Sequence, residues 1–544
     1  MLGSQLVIRA LKRQGVTTIF SLSGNQIMPL YDACIDAGIR IVHVRHEAAA
    51  VFMADAWSQV TGEVGVAMLT AGPGITNGIG PLFSAAQAES PVLLISGDSS
   101  IAEDGLGAFQ EMDQVAITRP LTKLSHRPMS AAALAPAVDQ AIATALAARR
   151  GPVHLALPFD LLCAESGIDE LPALPATTVP PKHAVASLGD LAGLLAASRR
   201  PVVLGGPASG RLSTRPRWRD LAAALQAPFV TLESPRGLKD PSAGTLADTL
   251  TQADLIVLAG KRLDFTLAFG RGNVFGQQTR FAVLDPDPAL LERARRLLGQ
   301  RLAMALQGDP ADLLARAAQS RFMPQRTSWR DTVSTAVAAR DLAKPAAANP
   351  SAMGPQALCE QVQRYLDSAR EPILVCDGGE FGQWAQAFCQ APVRIINGTS
   401  GAIGGGICYA IAAKIARPDA TVVALMGDGT SGFHFMEFDT AVRENAPFIA
   451  VIGNDTRWNA EHLIQLRTYG ADRLIGCELA ASARYHEGAA ALGGFGAEVR
   501  QADQVVAALH SAAASGRPAC INAVLDGQAA PVFSAAGART TSAH

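Results

Sequence analysis

At 544 residues the chain is too long for one core; at about 150 residues per domain the length suggests three or four domains, and three are expected. Hydrophobic residues at 49 % and charged residues at 17 % describe a well-buried globular protein and exclude a disordered or collagen-like chain. A net charge of −2 provides no broad attraction to nucleic acid or to an anionic membrane. No apolar run reaches the roughly 18 residues of a membrane span.

In chain order, residues 1–15 read as an amphipathic helix rather than a secretion signal. Residues 39–44 form a strand pattern that runs into Arg45-His46-Glu47 and then a helical stretch, which places Glu47 at a strand-to-helix junction. Two readings of Glu47 stand on the residues alone: a complement to the helix dipole, worth roughly 0.3–1 kcal/mol, or an acid that works on a ligand. Thr70-Ala71-Gly72-Pro73-Gly74, a helix and the apolar segment ending at Asp98 repeat a layout seen again near residue 428. Residues 168–183 and 322–356 are rich in proline and alanine and read as linkers, so the domains are expected at 1–166, 184–320 and 355–530. The cluster 211–219 carries four arginines and reads as solvated surface or an anion patch. Alternating strands and helices throughout predict α/β layers with parallel sheets.

The third segment is the most informative. Residues 422–426 read as a buried strand ending in Gly427-Asp428-Gly429, 435–445 as an amphipathic helix, and 448–452 as a second strand ending in Asn454-Asp455. Asp428 and Asp455 are 27 residues apart, about one βαβ unit, so both are expected at neighbouring carboxyl ends of parallel strands. Such a corner suits a hard divalent cation, because Mg2+ takes a few protein oxygens and leaves the rest to water and phosphate. Gly427, Gly429 and Thr430 would let main-chain N–H groups meet a diphosphate. The plainer reading is a Gly-Asp-Gly turn that only ends a strand.

That motif, with the chain from residue 2 to about 526, resembles the thiamine diphosphate (ThDP) enzymes, in particular their acetolactate synthase, benzaldehyde lyase and 2-hydroxyacyl-CoA lyase branch. The resemblance implies an α/β fold of three doubly wound parallel-sheet domains, the architecture of pyruvate oxidase and pyruvate decarboxylase. The N-terminal domain would take the pyrimidine ring and the C-terminal domain the diphosphate. It also implies Mg2+ held by Asp428, Asp455 and the carbonyl of Arg457. The family usually has Asn where Asp455 stands, and the added negative charge should tighten the metal while repelling the diphosphate. Glu47 would hydrogen-bond the aminopyrimidine and favour the imino form that generates the C2 ylid. The loop 398–406 would fold the cofactor, with Gly401 receiving the amino group through its carbonyl and Ile403 wedged between the rings, although it also reads as an ordinary glycine-rich connection. Asp377-Gly378-Gly379-Glu380 matches a second diphosphate-side loop, with Gly379 and Glu380 as contacts.

For the substrate the resemblance points to Asn25, Gln26, Gln110 and Trp458, with Gln110 and His462 as the further catalytic candidates. Benzaldehyde lyases carry His where Gln26 stands, and an amide cannot titrate near neutrality. The acid or base would then be His462, whose plain reading is an exposed helix histidine, or the cofactor's own 4′-amine. Ala259-Gly260-Lys261-Arg262-Leu263-Asp264 resembles the subgroup in which an adenine nucleotide can bind, without a GxGxxG fingerprint. The expected activity is acetolactate synthase-like decarboxylation or carboligation of 2-oxo acids or 2-hydroxy ketones. The alternatives are a 2-hydroxyacyl-CoA lyase, oxalyl-CoA decarboxylase or benzaldehyde lyase type of C–C lyase, and, in another class, a ThDP-fold protein that binds without chemistry. A homodimer or homotetramer is expected, with small-molecule substrate and neither nucleic acid nor membrane as partner. The eight cysteines contain no CxxC pair, which fits reduced thiols in a cytoplasm.

Overall fold

The computed structural model describes residues 1–171, 173, 185–271, 274–340 and 352–534. Most of the linker expected at 168–183, and the Lys344-to-Pro350 part of the second, lie outside the described residues. Three sheets form, each wholly parallel. The first contains β1 (Thr18–Ser21), β2 (Arg40–His43), β3 (Gly65–Leu69), β4 (Val92–Asp98), β5 (Ser125–His126) and β6 (Val153–Pro158), in the order β2-β1-β3-β4-β6-β5. The second contains β7 (Pro201–Gly205), β8 (Phe229–Thr231), β9 (Leu255–Ala259), β10 (Arg280–Asp285) and β11 (Leu302–Gln307), in the order β11-β10-β9-β7-β8. The third contains β12 (Ile373–Asp377), β13 (Val393–Ile396), β14 (Val422–Gly427), β15 (Ile449–Asn454), β16 (Phe495–Val499) and β17 (Ala519–Val524), in the order β13-β12-β14-β15-β17-β16. The first and third sheets are therefore wound identically, as the repeated layout in the sequence suggests.

Central strands such as β3, β4 and β6 are buried at every residue. Their near-continuous apolar sequence follows from helices covering both sheet faces. One compact unit holds the first and third sheets and the other holds the second. In the first unit the helices Glu47–Thr61 and Gly406–Ala416 contribute to a common core with Phe20, Leu94 and Met426. Phe52 meets Tyr409 edge to face at 5.4 Å, and the Tyr409 hydroxyl donates to Asp55 Oδ2 at 3.3 Å. Each fully buried side chain of this size contributes about 1.5–3 kcal/mol.

Differences from the sequence expectations have local causes. The stretch expected as a linker at 322–356 contains the helix Thr327–Ala338, whose Trp329, Val333 and Ala336 repeat at helical spacing. Trp329 and Val333 join the core beneath the second sheet, and Trp329 Nε1 donates to the carbonyl of Pro201 at 2.9 Å. The helix expected at 435–445 is shorter, Glu437–Arg443, because a helical turn already begins on Asp428 itself and the chain then bends through Phe433 to Met436. After β9, Lys261 Nζ donates to Thr266 Oγ1 at 2.7 Å, and Ala268 and Phe269 take left-handed conformations. Seven cysteines are buried. No helix among the described residues is long and apolar enough to cross a membrane.

Candidate active site

In a parallel sheet the loops after the strands share one rim, and the expected site residues sort onto two such rims. On the third sheet, Gly427 pairs in register with Gly453, so Asp428 follows β14 and Asp455 follows β15 side by side. Asp428 is only 3 % exposed. Its Oδ1 accepts the N–H of Gly429 at 2.9 Å, while its Oδ2 is buried without a hydrogen-bond partner. Burial pushes the Asp428 carboxyl up to about 6, against the pull of the N–H groups of Gly429, Thr456 and Arg457. Asp455 is pushed up to about 7, first by burial and then by the charge of Asp428, with Arg457 opposing. A buried carboxylate with an orphaned oxygen, beside a half-buried one that its charge pushes up, forms a site that a cation would stabilise. No group of three His, Cys, Asp or Glu side chains gathers as a metal site among the described residues. A cation here would therefore complete its shell from main-chain, water and phosphate oxygens, the habit of Mg2+.

The glycine turns after β12 and β13 border this corner. Gly378 has φ +74°, and a Cβ there would lie 2.2 Å from Thr430 Oγ1, so only glycine lets the two turns touch. Asp377, the first residue of the Asp377-Gly378-Gly379-Glu380 segment, organises the neighbouring loop. Its buried carboxylate accepts from Gly404 N at 3.1 Å, Gly406 N at 2.6 Å and the amide of Asn397. Gly401 in that loop is left-handed with open space above it, and Ile403 is half-buried. His434 was also unmarked in the sequence. Its Nδ1 lies 2.6 Å from the carbonyl of Gly404, and burial pushes its pKa down, so the neutral ring donates there.

On the first rim, Glu47 is the first residue of its helix and His46 caps it by accepting the N–H of Ala48. Asn77, missed in the sequence because nothing marks an Asn in a short helix, donates to Glu47 Oε2 at 3.0 Å. Gln26 is buried, and its Oε1 accepts from Thr70 Oγ1 at 2.6 Å. Asn25 is exposed. Gln110 has φ +62°, and its Oε1 is buried without a partner. The two rims connect within the chain: His46 and His434 meet edge to face at 5.9 Å, and Ser400 Oγ lies 3.3 Å from Ser84 Oγ. Trp458 and His462 sit at the start of the helix Asn459–Tyr469, with Trp458 edge-on to Phe433 at 6.2 Å and Arg457 Nη1 3.4 Å from His462 Nε2.

Three parallel sheets, with an acid on one rim and a cation corner with glycine turns on another, define an α/β enzyme built around a diphosphate-bearing cofactor. Family models agree along the chain. The thiamine pyrophosphate enzyme N-terminal TPP binding domain matches residues 1–117, the central domain 188–317 and the C-terminal TPP binding domain 377–523. A probable acetolactate synthase of Mycobacterium bovis is 34 % identical over 545 residues, covering 97 % of this chain and 96 % of the relative. The acetolactate synthase large subunit IlvG of Mycobacterium tuberculosis matches to the same extent. The 2-hydroxyacyl-CoA lyase 2 of Homo sapiens is 30 % identical over 579 residues, covering 96 % of this chain and 90 % of the relative. The chain belongs to the thiamine pyrophosphate enzyme family, and its cofactor is thiamine diphosphate with, as is usual there, Mg2+.

Proposed function

We propose that the protein forms or cleaves carbon–carbon bonds next to a carbonyl, acting on 2-oxo acids or 2-hydroxy ketones as an acetolactate synthase does. The observation that carries the proposal is the Asp428–Asp455 pair, with the orphaned Oδ2 of the buried Asp428, set among glycine turns at a sheet rim. The acetolactate synthases that match nearly the whole chain support it.

When bound, the cofactor supplies a nucleophilic carbon and an electron sink. The side chains of Asp428 and Asp455, with the carbonyl of Arg457, would hold Mg2+. Gly427, Gly429 and Thr430, with Gly379 and Glu380 opposite, would border the diphosphate. The carbonyl of Gly401 would accept the ring amino group, and Ile403 would keep the two rings apart. Asn77 occupies Oε2 of Glu47, which makes Oε1 the oxygen to share a proton with the pyrimidine nitrogen. Asn25, Gln26, Gln110 and Trp458 would line the substrate space. Because an amide cannot titrate, His462 Nε2 would carry the proton to or from substrate.

The same reading assigns domains to 1–166, 184–320 and 355–530, the central one extended by the helix Thr327–Ala338 that packs on its core. It includes a homodimer or homotetramer, because in the family two subunits usually share each cofactor, and a cytoplasmic location, supported by buried thiols.

Protein stripped of metal and cofactor should regain turnover only when both return, and Glu47→Gln or Asp428→Ala should abolish it. Retained activity in either variant overturns the assignment. A second reading rests on the human 2-hydroxyacyl-CoA lyase 2, which aligns with 96 % of the chain. Chromatography of products from pyruvate and from a 2-hydroxyacyl-CoA separates the two: acetolactate supports the first, formyl-CoA with an aldehyde or ketone the second.

A further inference from the structure

Residues 99–113 connect β4 to the helix Gln114–Thr118, and they are tied down far more than a surface connection requires. The Glu111 carboxylate accepts three main-chain N–H groups of its own loop: Gly105 at 2.6 Å on Oε1, and Gly107 at 2.9 Å and Ala108 at 3.0 Å on Oε2. These bonds, Gly105 first and Ala108 next, hold its carboxyl below the usual range. At the other end Arg127 places two guanidinium nitrogens on Asp104, at 2.7 and 2.8 Å, and reaches Asp98 at 2.6 Å and the carbonyl of Ser99 at 3.2 Å. Asp98 is the last residue of β4, so the paired fork fastens the loop to the sheet.

Gln110 follows, in a left-handed conformation that a residue with a side chain keeps only when its surroundings over-determine it. Its backbone lies directly on the turn after β3, where a Cβ added to Gly72 would come within 2.9 Å of Gln110 Cβ. On the same braced segment Leu106 and Phe109 are 78 % and 74 % exposed. A mobile lid would be expected to have few such bonds, since low local stability accompanies movement.

We propose that Glu111, with Arg127 and Asp104, is a positioning device that fixes Gln110 as a rigid wall of the substrate space. The proposal rests on the active-site reading above, but the brace itself can be judged without it. Glu111 touches neither substrate nor cofactor in this scheme and acts through Gln110.

The test compares wild type, Glu111→Gln and Glu111→Ala. Hydrogen exchange of the apoprotein should show the amides of Gly105, Gly107 and Ala108 exchanging at least tenfold faster in both variants. In the ThDP- and Mg2+-loaded enzyme kcat/KM should fall tenfold or more, with a raised KM forming part of the loss, while ThDP affinity stays within twofold of wild type. Unchanged exchange overturns the brace, and accelerated exchange with kcat/KM within twofold of an active wild type overturns the positioning role. A parallel loss of ThDP affinity and thermal stability also overturns it, marking Glu111 as a general structural element. A wild type that neither binds ThDP nor turns over fails the active-site reading instead, and the exchange result still decides the brace.

Discussion

Asn77 Nδ2 donates to Glu47 Oε2 at 3.0 Å, so the acid at the start of one helix is oriented by an amide from another. On the proposed role of Glu47, the bond leaves one carboxylate oxygen for the ring nitrogen and fixes its direction. Removing a hydrogen bond to a charged group costs about 1.5–3 kcal/mol. Asn77→Ala should therefore lower kcat/KM about tenfold or more with little change in melting temperature, and Asn77→Asp should do worse by setting two carboxylates together. Steady-state kinetics beside thermal denaturation checks both.

Asp455→Asn removes one of two neighbouring like charges while keeping an oxygen for the proposed metal. Apoprotein without Mg2+ should gain stability, about 1 kcal/mol or a rise of about one degree in melting temperature. Adding Mg2+ and ThDP should shrink that gain, because the wild-type pair then has its counter-ion. Scanning calorimetry with and without the two ligands checks the sign.

Asp377→Asn replaces an acceptor of several N–H donors by a group whose own N–H must face one of them. Breaking a buried charge-assisted network should cost about 2–4 kcal/mol and loosen the loop that carries Gly401 and Ile403. A lower melting temperature together with weaker ThDP binding, followed by titration of the apoprotein, is the expected result.

Acid should destabilise the fold through His154. Burial holds its pKa at about 3, and Ser96 lies 2.8 Å from Nε2 with Thr118 2.9 Å from Nδ1. Below about 6.5 the unfolded chain takes up a proton that the folded chain refuses. Stability is therefore lost progressively as pH falls from about 6.5 toward about 3, by as much as about 5 kcal/mol. His154→Gln should flatten that dependence, measured by urea unfolding at a series of pH values.

Much of this arrangement is legible in the residues. The separation of Asp428 and Asp455 is set by the length of a βαβ unit, and the parallel pairing of β14 with β15 follows from two apolar runs too buried to alternate. Glu47 stands at a junction marked by a change from strand to helix pattern. Asn77, Asp377 and His434 are not legible in this way, because their partners are distant in sequence or are main-chain groups of an irregular loop. The helix Thr327–Ala338 is hidden by the proline- and alanine-rich residues after it, although Trp329 and Val333 carry its spacing.

The identical strand order of the first and third sheets has a practical outcome for protein engineering. Each copy of the winding delivers its own set of loops, and on the proposed reading the sets divide the work: phosphate, metal and a substrate-side helix on the third sheet, ring activation and the remaining substrate contacts on the first. On that division, selection for a new substrate can diversify the loops of the first sheet while leaving coenzyme retention, assigned to the third, largely untouched.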